Sequence, residues 1–183
     1  IAVRESMSDI AAGAPHLFRF GVEFALDGAL DRIKFVGPGP YETYSDRKSS
    51  AKLGWYDQKV ADQYHYGYVR PQESGTHVDL RLFEILGQDG CGIAITSPSL
   101  FSASALPFGR RDIDMSISGG GRAENGDQRH SLELRPTGLT HVNLDLVQMG
   151  VGAPDSWGAT PFNAYVVRPE ARSFEFRIVP VVK

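Results

Sequence analysis

Alternation of apolar and polar side chains is the feature that most constrains the fold of this chain. The segment "FRFGVEF" (18–24) places an apolar side chain at every second position, which is the period of a strand with one buried face. The same alternation recurs in "RIKFV", "HVDLRLFEI" and "DIDMSIS", and shorter strand-like segments are "CGIAIT", "SLELR", "HVNLDLVQ", "NAYVVR" and "FEFRIVPVV". Because Gly, Pro, Asn and Asp separate these segments, the sequence predicts an all-β fold, a large antiparallel β-sandwich.

Three stretches depart from this alternation. Residues 1–16 are predicted to be a loose lead-in segment, so that the domain itself covers residues 17–183. The stretch "DRKSSAK" (46–52) is the best helical signal, with Asp46 as its N-cap. The polar, glycine-rich stretch 118–128 is typical of a long hairpin tip.

Composition excludes several classes of function. The 183 residues suit one domain, and a net charge of −3 provides no basic face for nucleic acid. A single cysteine, Cys91, excludes an intrachain disulfide and a cysteine-based zinc site. No apolar run approaches the roughly 20 residues of a membrane-spanning helix. The five histidines show no metal-ligand spacing, so the sequence predicts no metal site.

The acidic residues in the predicted loops are the candidates for the two catalytic carboxylates of a glycosidase. These are Glu42, Asp46, Glu73 and Asp155, and nothing in their spacing brings two of them to the separation of about 5–10 Å that glycosidic chemistry needs. The favoured interpretation is that they cap turns or pair with arginines. Ser156 lacks the G-x-S-x-G surroundings of a nucleophile. The sequence therefore predicts no catalytic residue in this chain.

Aromatic side chains are dense in "WYDQKVADQYHYGYVRPQESG" (55–75), which contains Trp55 and Tyr56 as well as three further tyrosines. Aromatic faces stack on the C–H groups of sugars, and their polar tips bond hydroxyls. The alternative is that these side chains cover an open end of the sandwich. From the residues alone, carbohydrate binding and simple packing both stay open.

Four segments together resemble one known family. They are "GPGPYETYSDRKSSAKLG" (37–54), "YVRPQESGTHVDLR" (68–81), "HSLELRPTGLTHVNLD" (130–145) and "QMGVGAPDSWG" (148–158). In this order and at these intervals they are similar to segments of the C-terminal, small-chain type domain of bacterial β-galactosidases of glycoside hydrolase family two. The resemblance implies a supersandwich like that of galactose mutarotases, here truncated, and a chain that is a piece of a longer polypeptide. Departures are Thr43 where the family has Asn, and Ala153 followed by Pro154 where it has a second glycine.

The resemblance also implies a role for the tryptophan in the fourth segment. Trp157 resembles the family residue that forms an aromatic platform for the sugar at the mouth of a catalytic barrel, with Asp155 and Ser156 supporting the turn that holds it. The catalytic glutamates of the family lie on the barrel, which implies that this chain is noncatalytic and inactive when isolated. It implies no cofactor in this chain, since Mg²⁺ and Na⁺ would lie on other domains.

The implied partners are the catalytic barrel domain or large subunit of the same enzyme, a galactoside such as lactose, and further copies in a homo-oligomer of the full-length enzyme. The compartment stays open between the bacterial cytoplasm and the periplasm. In the first two motifs, Asp46–Arg47 and Glu73–Arg81 are predicted to be buried ion pairs that hold long connections. The alternative function is an independent carbohydrate-binding or mutarotase-like module, for which His65 and Glu73 are the nearest candidate pair.

Overall fold

A computed structural model describes residues 1–68, 71–113, 130–155 and 158–183 of the chain. Its secondary structure is dominated by ten strands, with a single four-residue α-helix, α1 (Arg110–Ile113), and three 3₁₀ turns in the described residues. The strands are β1 (Ala2–Met7), β2 (Arg19–Asp27), β3 (Arg32–Gly39), β4 (Lys52–Lys59), β5 (His77–Leu80), β6 (Leu82–Leu86), β7 (Gly92–Thr96), β8 (Phe101–Leu106), β9 (Leu139–Gln148) and β10 (Arg172–Val181).

The strands form two antiparallel sheets. A six-stranded sheet has the order β1-β10-β7-β6-β3-β4, and a four-stranded sheet has the order β2-β9-β8-β5. In the second sheet, β2 pairs with β9 from Arg19 opposite Gln148 to Asp27 opposite Leu139. The two ends of β2 therefore lie at opposite ends of the sandwich, with Arg19 at the end where β9 finishes and Asp27 at the end where β9 begins.

One hydrophobic core lies between the sheets. Its fully buried side chains come from both of them, for example Phe35 and Phe83 on one side and Phe101 and Leu144 on the other. The two sheets thus bury apolar side chains against each other, as expected of a sandwich, although Phe18 of the first alternating segment is exposed. The prediction of an all-β antiparallel sandwich is confirmed.

The strands differ from the prediction in the lead-in segment and in one of the alternating segments. Residues 2–7 of the expected loose lead-in form β1, an edge strand paired with β10, while the division of the chain at residue 17 stays a prediction. The segment "HVDLRLFEI" is two strands rather than one. β5 belongs to the four-stranded sheet and β6 to the six-stranded sheet. Asp79, at a φ of 58°, lies within β5 where its pairing with β8 is irregular. The buried positions shift from Val78 and Leu80 in β5 to Phe83 and Ile85 in β6, so the segment does not keep one alternation along its length.

The predicted helix and several short predicted strands are wrong, because they rested on polar side chains or on short apolar runs. Residues 46–52 form turns and the start of β4 instead of a helix. "SLELR" and "NAYVVR" contain the 3₁₀ turns Ser131–Glu133 and Asn163–Tyr165 instead of strands. The predicted strand "DIDMSIS" begins in α1, and the rest of it lies outside the described residues, as does the predicted hairpin tip 118–128.

Candidate functional site: a loop-bearing end of the sandwich

The carboxylate of Glu42 organises one end of the sandwich. Its side chain is 13% exposed and receives hydrogen bonds at both oxygens from residues of the first two sequence motifs. Backbone N–H of Gly75 donates at 2.7 Å and the hydroxyl of Tyr68 at 2.9 Å. We call this set the Glu42 network; its donors are Tyr44, Arg47, Tyr68, Ser74 and Gly75. The network ties residues 42–47 to residues 68–75, although the sequence separates them by some twenty residues.

Backbone contacts bring the same two motifs together. The N–H of Thr43 donates to the carbonyl of Thr76 at 2.7 Å, and the N–H of Val78 donates to the Thr43 hydroxyl at 3.0 Å. Thr43 is one of the positions at which this chain departs from the family pattern, and its buried hydroxyl accepts a hydrogen bond from a buried amide. Gly75 has a φ of +75°, and a Cβ there would lie 2.8 Å from the carbonyl oxygen of Gln63, so only glycine suits this turn.

The third motif joins this end through Ser131. The Ser131 hydroxyl donates to the carbonyl of Tyr68 at 2.6 Å and lies 3.0 Å from the hydroxyl of Tyr64. Both Ser131 and Tyr64 are buried, and burial raises the pKa of the Tyr64 hydroxyl. The residues around the short turn Ser131–Glu133 are therefore held against the second motif.

The fourth motif is held through four consecutive backbone amides. Met149 donates to the carbonyl of Phe18 at 2.8 Å, and Gly150 donates to the carbonyl of Tyr165 at 2.9 Å. The next two amides donate to the two oxygens of Asp46, Val151 at 3.1 Å and Gly152 at 2.7 Å. The loop that begins after β9 is thus fixed to the turn 44–47 of the first motif.

Of the predicted substrate-binding residues, only Asp155 belongs to the described part of the chain. Asp155 is exposed, while Ser156 and Trp157 lie outside the described residues. The aromatic set of residues 55–75 does not form one surface in the described residues. Trp55 is 60% exposed on β4, whereas Tyr56 packs against Phe35 in the core, at 5.1 Å between ring centroids.

The predicted ion pairs have other partners. Asp46 binds the amides of the fourth motif, and its neighbour Arg47 pairs with Glu42. Arg81 is exposed, and its guanidinium donates to the carbonyl of Asp79 at 3.5 Å instead of to Glu73. The prediction of Asp46–Arg47 and Glu73–Arg81 pairs is therefore wrong, because contacts between distant segments displaced the pairs suggested by sequence proximity.

Glu73 belongs to a second polar cluster, which extends to Asp145 on β9. Its Oε2 accepts from Arg19 at 2.8 Å and its Oε1 accepts from the Thr76 hydroxyl at 2.9 Å. The other nitrogen of Arg19 lies 3.4 Å from Asp145, whose side chain is 3% exposed. Burial raises the pKa of Asp145 from its ordinary value of 3.8 to about 7, and the charge of Arg19 only partly offsets this. We call Arg19, Glu73 and Asp145 the Arg19 cluster.

His77 lies between the Glu42 network and the core. Its ring is fully buried, stacks on Phe35 at 4.2 Å between ring centroids, and its Nε2 lies 2.9 Å from Oε1 of Gln63. Burial lowers the pKa of His77 to about 4, so the ring is neutral at pH 7. Sequence reasoning missed His77, Arg19 and Asp145 as site residues, because each lies within a strand and finds its polar partner in another segment of the chain.

The described residues contain no group of three or more side chains suited to binding a metal ion. They also include no helix long and apolar enough to cross a membrane. The carboxylates of Glu42 and Glu73 both accept hydrogen bonds at each oxygen from protein donors. The arrangement is suited to holding loops in place, and the loop after β9 is the element that it presents.

The fold and these contacts define a β-sandwich domain whose four distant motifs meet at one end and hold a loop. A family model described as the β-galactosidase small chain matches residues 1–178, and the chain belongs to this family.

Individual relatives agree. A β-galactosidase of Streptococcus thermophilus is 30% identical over 94% of this chain and 16% of its own length. One of Halalkalibacterium halodurans is 33% identical over 85% of this chain and 14% of its own length. The β-galactosidase BgaC of Bifidobacterium adolescentis is 33% identical over 78% of this chain and 13% of its own length. The chain therefore spans about a seventh of the length of the relatives it matches.

Proposed function

We propose that this chain is the noncatalytic C-terminal part of a β-galactosidase that hydrolyses terminal β-D-galactosides such as lactose, and that it completes the active site with a loop. Membership of the small-chain family supports the enzyme class. The observation that carries the role of the loop is the convergence of four distant motifs around it, since Asp46 of the first motif binds the amides of Val151 and Gly152 in the fourth.

Engagement of the acids supports a noncatalytic role. A general acid or nucleophile must face the substrate with a free oxygen, and a pair of such groups must lie about 5–10 Å apart. Glu42 and Glu73 of the first two motifs direct both oxygens to protein donors, and the more deeply buried Asp145 of the third motif lies 3.4 Å from Arg19. The reacting carboxylates then belong to the catalytic barrel domain or large subunit, which is the partner of this chain.

The loop supplies Trp157 as an aromatic platform for the sugar that is released or that accepts galactose. An indole face against the C–H groups of a hexose contributes on the order of 1 kcal/mol beyond the burial of apolar area. Asp155 and Ser156 support the turn that carries this residue.

The alternative of a mutarotase-like module has less support. It needs His65 and a free Glu73 carboxylate facing a common cleft. Glu73 instead binds Arg19 and Thr76, and the exposed His65 packs its ring edge-on against Tyr68 at 4.6 Å between centroids.

A pair of tryptophan variants in the complete enzyme tests the platform. Trp157→Ala is expected to raise KM for lactose about fivefold or more, which corresponds to about 1 kcal/mol of lost stacking, and to affect a small aryl galactoside less. Trp55→Ala is the matched control, because it removes the only other tryptophan of this chain from an exposed face of β4. It should leave KM unchanged for both substrates. Equal losses on both substrates would assign Trp157 to folding, and an unchanged KM for lactose would remove it from the site.

The isolated chain provides a second test. We expect the purified 183-residue chain to leave a chromogenic galactoside unhydrolysed. Turnover that disappears in Glu42→Gln or Glu73→Gln would contradict the noncatalytic assignment.

A further inference from the structure

Four successive backbone amides donate the hydrogen bonds that fix the start of the loop, and Asp46 is the only side chain among their acceptors. The amides of Met149 and Gly150 donate to main-chain carbonyls, which any sequence could offer. Those of Val151 and Gly152 donate to Oδ1 and Oδ2 of Asp46, at 3.1 Å and 2.7 Å. Hydrogen bonds to an ionised acceptor are roughly twice as strong as neutral ones, so these two contacts depend on one substitutable carboxylate.

The glycines of the loop fit this carboxylate closely. A Cβ at Gly150 would lie 2.3 Å from Oδ2 of Asp46, and a Cβ at Gly152 would lie 3.2 Å from the same atom. The same Cβ at 150 would lie 2.9 Å from Cβ of Tyr165, so any larger residue there must move the loop or both of its neighbours, Asp46 and Tyr165. The close approach explains why the segment reads G-V-G, and it links position 150 to position 46 across the fold.

The turn that carries Asp46 is itself held from both sides. Tyr44 and Arg47 exchange two backbone hydrogen bonds around it, at 3.1 Å and 2.9 Å. Arg47 binds Glu42 and donates to the hydroxyl of Tyr68 at 2.9 Å, and its guanidinium lies 5.0 Å above the ring of Tyr44. Asp46 is thus held in place between Tyr44 and Arg47, two members of the Glu42 network, and its own two hydrogen bonds attach the loop to this turn.

We propose that Asp46 is a positioning residue for the substrate loop: it holds the amides of Val151 and Gly152 and so determines where the chain that continues to Trp157 leaves the sandwich. This inference rests on the proposed function of the loop. Asp46 touches no substrate. It acts on the acceptor sugar through the loop, and the bound galactose and the reacting atoms are unaffected.

The experiment compares Asp46→Ala and Asp46→Asn with a matched control in the complete enzyme. Alanine removes both acceptors, whereas asparagine keeps one oxygen and turns an NH₂ group toward the second amide. Asp27→Asn is the control, because Asp27 also accepts from a backbone amide, that of Ala29 at 2.8 Å, but at the opposite end of β2.

Two readouts are measured on each variant. Hydrogen exchange of peptides covering residues 149–155 reports the loop itself, and we expect Asp46→Ala to speed this exchange about tenfold, as for the loss of one net hydrogen bond. The values of KM and kcat for lactose and for an aryl galactoside report the substrate. We expect KM for lactose to rise about fivefold in Asp46→Ala and less in Asp46→Asn, as for a displaced stacking partner. The kcat for the aryl galactoside should stay within twofold, and Asp27→Asn should change none of these quantities.

The outcomes separate this proposal from the function on which it rests. Unchanged exchange in Asp46→Ala overturns the positioning role directly. Faster exchange with an unchanged KM for lactose also overturns it, provided that Trp157→Ala in the same enzyme raises that KM. If Trp157→Ala has no such effect, the proposed function of the loop fails, and faster exchange still supports the structural attachment by Asp46.

A double-variant comparison tests the attachment without any substrate. Gly150→Ala should speed exchange of residues 149–155 because the new Cβ collides with Oδ2 of Asp46. Adding Gly150→Ala to Asp46→Ala should then have a smaller effect than Gly150→Ala alone, because the collision with the carboxylate is gone and only the contact with Cβ of Tyr165, at 2.9 Å, remains. Additive effects of the two changes on exchange would contradict the proposal.

Discussion

Two carboxylates, Glu42 and Asp145, lie in neighbouring polar clusters of this domain and are stabilised in opposite ways. Glu42 is 13% exposed and accepts hydrogen bonds from residues of the first and the second motif. Asp145 is 3% exposed within β9, and in the described residues its nearest cation is Arg19 at 3.4 Å, which also binds Glu73 at 2.8 Å. Burial consequently raises the pKa of Asp145 to about 7.

The comparison shows how donors decide the state of a buried acid. A carboxylate with several well-placed donors can stay charged and hold segments together. One with a single shared and distant cation tends to take up a proton instead. The Glu42 network therefore joins loops, whereas the Arg19 cluster makes the stability of the sandwich depend on pH.

The largest effect should follow from breaking the Glu42 network. Glu42→Ala leaves the amide of Gly75, the hydroxyl of Tyr68 and the guanidinium of Arg47 without their acceptor. We expect a loss of about 3 kcal/mol in the free energy of unfolding, measured by urea denaturation. Glu42→Gln should lose less because it keeps one acceptor oxygen. A loss below 1 kcal/mol in Glu42→Ala would show that the donors find water instead.

Asp145→Asn should change the pH dependence of stability. Because its pKa is raised from 3.8 to about 7 in the folded protein, the contribution of Asp145 is complete below pH 3.8 and is lost as the pH rises to about 7. Relative to the wild type, Asp145→Asn should therefore gain on the order of 3 kcal/mol between pH 4 and pH 7. Urea denaturation at several pH values measures this, and parallel profiles for the two proteins would contradict a protonated Asp145.

His77→Gln should reveal how Asp145 makes the free energy of unfolding depend on pH. Burial lowers the pKa of His77 from 6.5 to about 4, so its contribution is complete above pH 6.5 and is lost as the pH falls to about 4. The two groups oppose each other between pH 4 and pH 6.5, and their effects largely cancel in the wild type. We expect His77→Gln, which keeps a donor for Gln63, to lose stability more steeply with rising pH in this range. A carbon-13 or proton titration of the imidazole with an ordinary midpoint would refute this assignment.

The smallest effect on the free energy of unfolding should come from removing the charge of Asp57, an exposed carboxylate with two cationic neighbours. Asp57 on β4 accepts from Arg32 at 2.8 Å and lies 3.8 Å from Lys34, and its hydrogen bond with Arg32 lowers its pKa. Because solvent screens such surface pairs, Asp57→Asn should leave the free energy of unfolding unchanged within experimental error. A loss as large as that of Glu42→Ala would show that donor number rather than burial sets the strength of these contacts.

Alternation in the sequence determined the sandwich because each strand carries its own buried face. "FRFGVEF" and "HVNLDLVQ" lie in the paired strands β2 and β9, as the period-two pattern requires. The motifs likewise indicated the family and the loop after β9. Residues 46–52 and the segments around Ser131 and Asn163 were predicted wrongly, since a short segment has too few side chains for its own preference to prevail.

The partners of the charged side chains were decided only by the tertiary structure. Asp46 is adjacent to Arg47 in sequence but binds Val151 and Gly152, more than a hundred residues away, and Glu73 binds Arg19 across the fold. The pattern of a strand fixes which face of it is buried. It carries no information on which distant loop reaches a given carboxylate, because that choice depends on how the two sheets stack and where the chain crosses between them.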